Sequence, residues 1–277
     1  MRGSDAYAFF FQIRWPNGFV CPRCGHNAAY TVATRSAPLY QCRHCRHQTT
    51  LTAGTVMERS RTPLAKWAFA FSILASTNGV NAVELSNRIG VSHKTAWNML
   101  RKIREAIGRI ESERKLEGIV QAGLLFLGAR NVQPFVSHPQ ERAVLAGAAI
   151  DSESGQPAVF KLVAVSPRHL RGKRLTSEGV AHFSSTHIRT EASLFALLRM
   201  VDLHWRCPLK SQFWRASRWL NRHYRGIGTK YLQSYLNEYC FRYNAASNGQ
   251  YLGEVLLDAC VSRRTKCVAS RSYAHAS

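Results

Sequence analysis

Two cysteine pairs carry the strongest chemical signal in this chain: Cys21-Pro22-Arg23-Cys24 and Cys42-Arg43-His44-Cys45, with seventeen residues between them. Paired CxxC turns at this separation have the spacing of a four-thiolate zinc site. Zinc takes four soft ligands in a tetrahedron, and each CxxC turn can offer two sulfurs to one ion. Gly25, directly after the first pair, permits the sharp backbone turn such a knuckle needs. The metal ligands read from the sequence are therefore Cys21, Cys24, Cys42 and Cys45. His26, His44 and His47 lie near enough to compete, but four cysteines complete the shell and leave the histidines to the surface. Segments 28–32 and 39–41 have hairpin character and little apolar material. A zinc ribbon is expected, folded by structural Zn2+ at an apparent gain on the order of 10 kcal/mol. Disulfide bonding is the competing use of four cysteines. Residues 1–5 lead into no apolar run of signal-peptide length, so a reducing compartment is expected, where structural disulfides are rare.

The 277 residues include 38 lysines and arginines against 16 acidic residues, a formal charge of +22. The positive charge is spread along the chain, which points to a polyanion, DNA or RNA first, rather than to a small-molecule substrate. No apolar run approaches the length of a transmembrane helix, the one near residues 124–127 included. No membrane association is expected, and a cytoplasmic, nucleoid-associated location is. Cys207, Cys240, Cys260 and Cys267 show no ligand spacing and read as small hydrophobes.

The elements that must position these residues follow from pattern. Residues 1–20 hold Tyr7, Phe9, Phe10, Phe11, Ile13 and Trp15, enough aromatic surface for a short helix packed on the ribbon. Thr62-Pro63 reads as a helix start, with Leu64, Trp67, Phe71 and Leu74 on one face. Ala82, Val83, Leu85 and Ile89 form a short amphipathic helix, Gly90-Val91-Ser92 a tight turn, and His93–Ile103 a basic helix capped by Ser92. That is a helix-turn-helix pattern, whose second helix lies in the major groove of duplex DNA. Ser92, His93, Lys94, Thr95 and Asn98 stand at its start, where base edges are reached. Arg101 and Lys102 stand further along, suited to phosphate. Beyond residue 116, three apolar runs (119–127, 143–150, 158–165) predict an antiparallel meander, the last two joined by a turn at 151–155. Helices are expected at 191–201 and 231–243. The fold class is multidomain α+β. The segments are 1–20 (aromatic), 21–56 (zinc ribbon), 60–112 (helix-turn-helix), 116–262 (mixed sheet and helices) and 263–277 (polar tail).

In this order, and in the closing segment Tyr231-Leu232-Gln233-Ser234-Tyr235-Leu236-Asn237-Glu238-Tyr239-Cys240-Phe241-Arg242-Tyr243-Asn244, the chain resembles bacterial insertion-sequence transposases with an N-terminal zinc ribbon. Arg14-Trp15-Pro16-Asn17-Gly18-Phe19-Val20 before the first cysteine pair, Leu51-Thr52-Ala53-Gly54-Thr55-Val56 and Gly90–Trp97 extend the likeness. It is dense to about residue 107 and patchy over 130–225. The resemblance implies an RNase H-like DDE domain over 116–262. It also implies double-stranded DNA with terminal inverted repeats as partner, and assembly as a homo-oligomer on paired ends. The implied chemistry is strand cleavage and transfer by two Mg2+ ions held on carboxylates, for which neutral side chains are poor substitutes.

The carboxylates are where this chain departs from the family. The first belongs at position 123, which is Gly123 in Val120-Gln121-Ala122-Gly123-Leu124. The second corresponds to Glu178 in Ser177-Glu178-Gly179. The third falls on Ser211 or Arg215, and no acid occurs between Leu203 and Asn237. Asp151, Glu153, Asp202 and Glu238 have ordinary uses in a turn, a helix end and an ion pair with Arg242. The expected protein therefore binds element-end DNA with an impaired or inactive strand-transfer site, and Mg2+ would matter only if that site still worked. An active transposase with a rewired metal site, and a zinc-ribbon transcriptional regulator, are the alternatives.

Overall fold

In a computed structural model of the chain, the residues described are 3–32, 38–76, 79–128, 140–190, 194–198, 207–224 and 226–262. They fall into two compact units, one holding the residues up to Phe71 with those from Leu257, the other Ser72–Leu256. Mixed α and β structure runs through the chain, as the sequence indicates.

In the first unit, α1 (Gly3–Arg14) precedes a three-stranded antiparallel sheet of β1 (Ala29–Val32), β2 (Leu39–Cys42) and β3 (Gln48–Thr50). Tyr40 on the central strand is the packing hub. Phe11, Trp15 and Phe19 surround its ring at 5.9, 5.3 and 5.6 Å, and its hydroxyl meets that of Tyr7 at 2.7 Å. The buried Arg14 guanidinium donates to the carbonyls of Thr50 and Leu51, at the end of the last strand and one residue beyond it. The aromatic N-terminal helix thus supplies the apolar mass that a small ribbon lacks. Helix α2 (Leu64–Ser76) starts one residue later than the Thr62 cap expected from sequence. The Pro63 carbonyl accepts from the Lys66 and Trp67 amides, so proline stands at the boundary, where its missing N–H costs nothing.

In the second unit, α3 (Ala82–Ile89) begins at Asn81, whose side chain accepts the Glu84 N–H at 2.9 Å, and ends at Gly90 with φ +64°. Only glycine takes that left-handed conformation cheaply. Ser92 then caps α4 (His93–Glu113) by accepting the Thr95 N–H at 3.2 Å, as expected.

The three apolar runs are strands β4 (Ile119–Leu127), β5 (Arg142–Ile150) and β6 (Pro157–Ala164), paired antiparallel in sequence order. In the β5–β6 turn the Asp151 carboxylate accepts from both the backbone and the hydroxyl of Ser154 at 2.7 Å. A small hairpin, β7 (Leu170–Arg171) with β8 (Arg174–Leu175), leads into α5 (Ser177–His187). The helix expected at 191–201 is replaced by a strand, β9 (Leu194–Leu198), which pairs parallel to β4 in the order β6-β5-β4-β9. Leu194, Leu197 and Leu198 satisfy a helical period as well as a strand. Hydrogen bonding to Ile119–Gly123 decides between them. Asp202, the polar tail and Cys267 lie outside the described residues. Helices α6 (Pro208–His223), α7 (Leu232–Ser247) and α8 (Leu252–Val261) follow among the described residues.

Alternation along the strands divides the sheet into two faces. Leu125, Val144, Ala146 and Phe160 pack against α6 and α7 through Phe213, Leu220, Leu236 and Cys240. Val120, Ala122 and Leu145 pack against Phe183 of α5 on the other face. The outer edge of β6 is occupied by side-chain amides of α7. Asn244 accepts the Phe160 N–H at 2.8 Å and donates to its carbonyl at 3.1 Å. Gln233 does the same for Ala164 N–H (2.8 Å) and Leu162 C=O (2.9 Å). Helix α4 is tied to α7 by a buried ion pair, Arg104–Glu238 at 2.7 Å, which Arg242 joins at 3.2 Å. Burial alone would raise the Glu238 carboxyl, but the Arg104 and Arg242 charges hold it below the usual range. Among the described residues no helix is long and apolar enough to cross a membrane.

Candidate metal centre and nucleic-acid interface

The two CxxC turns have the same backbone construction. The Cys21 and Cys42 amides donate to the carbonyls of His26 and His47, at 2.8 and 2.9 Å. Gly25 and Arg46, each one residue past its second cysteine, donate back to the carbonyls of Cys21 and Cys42. Both take the left-handed conformation, φ +76° and +59°. Gly25 was legible in the sequence for that role; Arg46 was not, because an arginine rarely accepts that strain.

These turns bring the four sulfurs within 4.8 Å of one another, with Cys21 to Cys45 and Cys24 to Cys42 at 3.6 Å. A disulfide needs about 2.05 Å. A tetrahedron with zinc–sulfur bonds of about 2.3 Å has edges of about 3.8 Å, so the cluster fits zinc and not a disulfide. Burial raises the Cys42 thiol, but the amides of Cys45 and His44 together with the Cys24 and Cys21 sulfurs outweigh it and bring Cys42 to about 6. The His26 amide favours a thiolate at Cys24, yet burial and the other three sulfurs push it up to about 12. The opposed shifts of Cys24 and Cys42 show neighbouring sulfurs competing for ionisation, and a dication removes the conflict. His44 is exposed while His26 and His47 are half-buried, none of them in the cluster.

Residues 4–48 match the family profile described as a transposase zinc-ribbon domain. The match begins inside α1, so that helix belongs to the domain whose sheet it packs against. No curated protein and no solved structure matches the chain.

On α4, the stripe Lys94, Asn98, Arg101 lies opposite the face buried by Ala96, Met99, Leu100 and Ile103. His93 and Lys94 are exposed, and Thr95, Asn98, Arg101 and Lys102 are half-buried. The Ser92 hydroxyl is engaged by the Thr95 amide and lies 2.9 Å from the Thr95 hydroxyl, so both serve the helix start. Arg101 donates to Glu105 at 2.6 Å and lies 5.8 Å from the Trp97 ring centre.

The positions matched to the transposase carboxylates do not come together as an acidic pocket. Gly123 sits inside β4 between Ala146 of β5 and Leu198 of β9. Helix α6 turns Leu209, Phe213, Ala216 and Leu220 to the core, with Ser211 half-buried and Arg215 exposed. Glu178 is exposed in the first turn of α5, the helix on the opposite face of the sheet from α6. An acid there complements the helix dipole. None of β4, β5, β6, β9 or α6 contains an aspartate or glutamate. These residues do not fit a pair of magnesium ions.

Proposed function

We propose that this chain is an insertion-sequence transposase-family protein that binds element-end duplex DNA and has lost the strand-transfer chemistry. The observation that carries the reading is the transposase zinc-ribbon match, lying on a cluster of four sulfurs spaced for one zinc ion. The formal charge of +22 favours a nucleic acid as partner. In this reading α3, the Gly90–Ser92 turn and α4 are the helix-turn-helix. His93, Lys94 and Asn98 face base edges, with Arg101 and Lys102 on phosphate and Ser92 and Thr95 fixing the helix start.

The order β6-β5-β4-β9, with a helical crossover from β6 to a strand parallel to β4, supports an RNase H-like origin for the sheet. The absence of carboxylates from its strands and from α6 supports loss of the metal site.

The test is incubation of the purified zinc-loaded protein with DNA carrying the element's terminal inverted repeats, in magnesium or manganese. Retarded migration without nicking is expected, with the stoichiometry of the shifted band reporting any assembly on paired ends. Metal-dependent nicking that disappears in Glu178→Ala would overturn the loss of chemistry. Equal binding to repeats and random DNA would overturn the element-end assignment and favour a general regulator.

A further inference from the structure

Within the second unit, a cleft of about 810 Å³ opens between the start of α3, the end of α6 and the segment 226–235. A second of about 370 Å³ adjoins it along α4. Trp97, Tyr231 and Tyr235 line both and form the wall between them. Trp97 meets Tyr231 edge-on at 5.8 Å, and Tyr235 packs on Tyr224 at 4.6 Å. Cations stand over these rings: Arg104 lies 4.3 Å from the Tyr235 centre, Lys230 5.5 Å from Tyr231 and Arg101 5.8 Å from Trp97. Core aromatics are close-packed, whereas here half-buried rings border open volume.

We propose that this cleft receives a single unpaired nucleobase from DNA held on α4, stacked on Trp97 with Tyr231 against its edge and with Arg101 and Lys230 on the flanking phosphates. The proposal rests on the DNA-binding reading above. Aromatic rings accompanied by cations are the chemistry that holds bases outside a duplex, because every base has a π-face and carries a phosphate. The cleft volume lies in the range of small-molecule pockets, ample for one nucleotide. Its position also fits. Asn98 and Arg101 line the second cavity beside Trp97, so a base leaving a duplex on the Lys94–Asn98 stripe would meet the aromatic wall first. Two acids, Glu84 and Glu105, border the clefts, each already paired with an arginine one helical turn away.

The experiment compares binding of the full-length protein to a fully paired duplex and to the same duplex with one bulged 2-aminopurine. The wild type is expected to prefer the bulged duplex by about tenfold, and to quench the probe's fluorescence, as a base–aromatic stack does. Trp97→Leu and Tyr231→Leu should each reduce the preference while affinity for the paired duplex stays unchanged, and Trp97→Phe should retain it. Equal affinity of the wild type for both duplexes, or a preference that survives in Trp97→Leu/Tyr231→Leu, overturns the proposal while leaving the DNA reading intact. Failure to bind either duplex overturns both.

Discussion

Arg104 Nε donates a 2.7 Å hydrogen bond to Glu238 Oε2 across 134 residues of sequence, and the two side chains are 6% and 1% exposed. The Tyr224 hydroxyl adds contacts to both Glu238 oxygens at 3.3 Å. Losing Arg104 would leave this deeply buried carboxylate with Arg242 as its one remaining charge partner among the described contacts, and a half-paired buried charge is costly. Arg104→Met should therefore cost about 3–5 kcal/mol, read as a lower urea midpoint. Adding Glu238→Gln should recover part of the loss. A single variant within about 0.5 kcal/mol of wild type, the range of ordinary surface changes, would show that α4 is anchored elsewhere.

The zinc site predicts about one zinc per chain by elemental analysis, lost in Cys42→Ser/Cys45→Ser. Chelation should melt the ribbon, with loss of the Tyr7–Tyr40 and Trp15–Tyr40 contacts read as a change in aromatic fluorescence and circular dichroism. Metal retained by the double variant would exclude these ligands.

Two acid-sensitive groups should act in separate pH windows. Burial, reinforced by the Lys161, His182 and Lys115 charges, lowers His187 to about 4. The unfolded chain then takes up this proton first, so stability falls as pH drops from about 6.5 to about 4 and is flat above. After discounting for solvent screening the effect is about 1 kcal/mol. His187→Gln should flatten that limb in thermal melts at stepped pH. Glu238, held low by its arginines, contributes stability that is present above its unfolded value and is lost only as pH falls through its lower folded value. A variant curve parallel to wild type between pH 6.5 and 4 would remove His187 from the account.

For DNA, Lys94→Ala and Asn98→Ala should narrow the ratio of specific to random binding. Arg101→Ala should weaken all sequences alike and reduce the salt slope by about 0.9. Equal losses on both DNAs for Asn98→Ala would exclude it as a base reader.

The parts of this molecule legible in the sequence are those with a short-range signature. Cys21 to Cys45 announced the metal cluster, and Gly90 with Ser92 announced the ends of α3 and α4. Continuous apolar runs announced β4, β5 and β6. What escaped depended on partners distant in the chain. Leu194–Leu198 became a strand because β4 offered it a ladder, and periodicity alone could not separate the two outcomes. The Glu238–Arg242 pair was readable at four residues' spacing; the tighter pair with Arg104 was not. The aromatic wall shared by Trp97 and Tyr231 likewise joins residues far apart in sequence.

Asn244 and Gln233 satisfy the Phe160 N–H and C=O, the Leu162 C=O and the Ala164 N–H along the outward edge of β6. Along that margin, a neighbouring chain or a fibril-forming segment finds these four donors and acceptors already taken. Replacing either amide with an aliphatic residue would reopen the margin, and self-association in solution is where the change would first be felt.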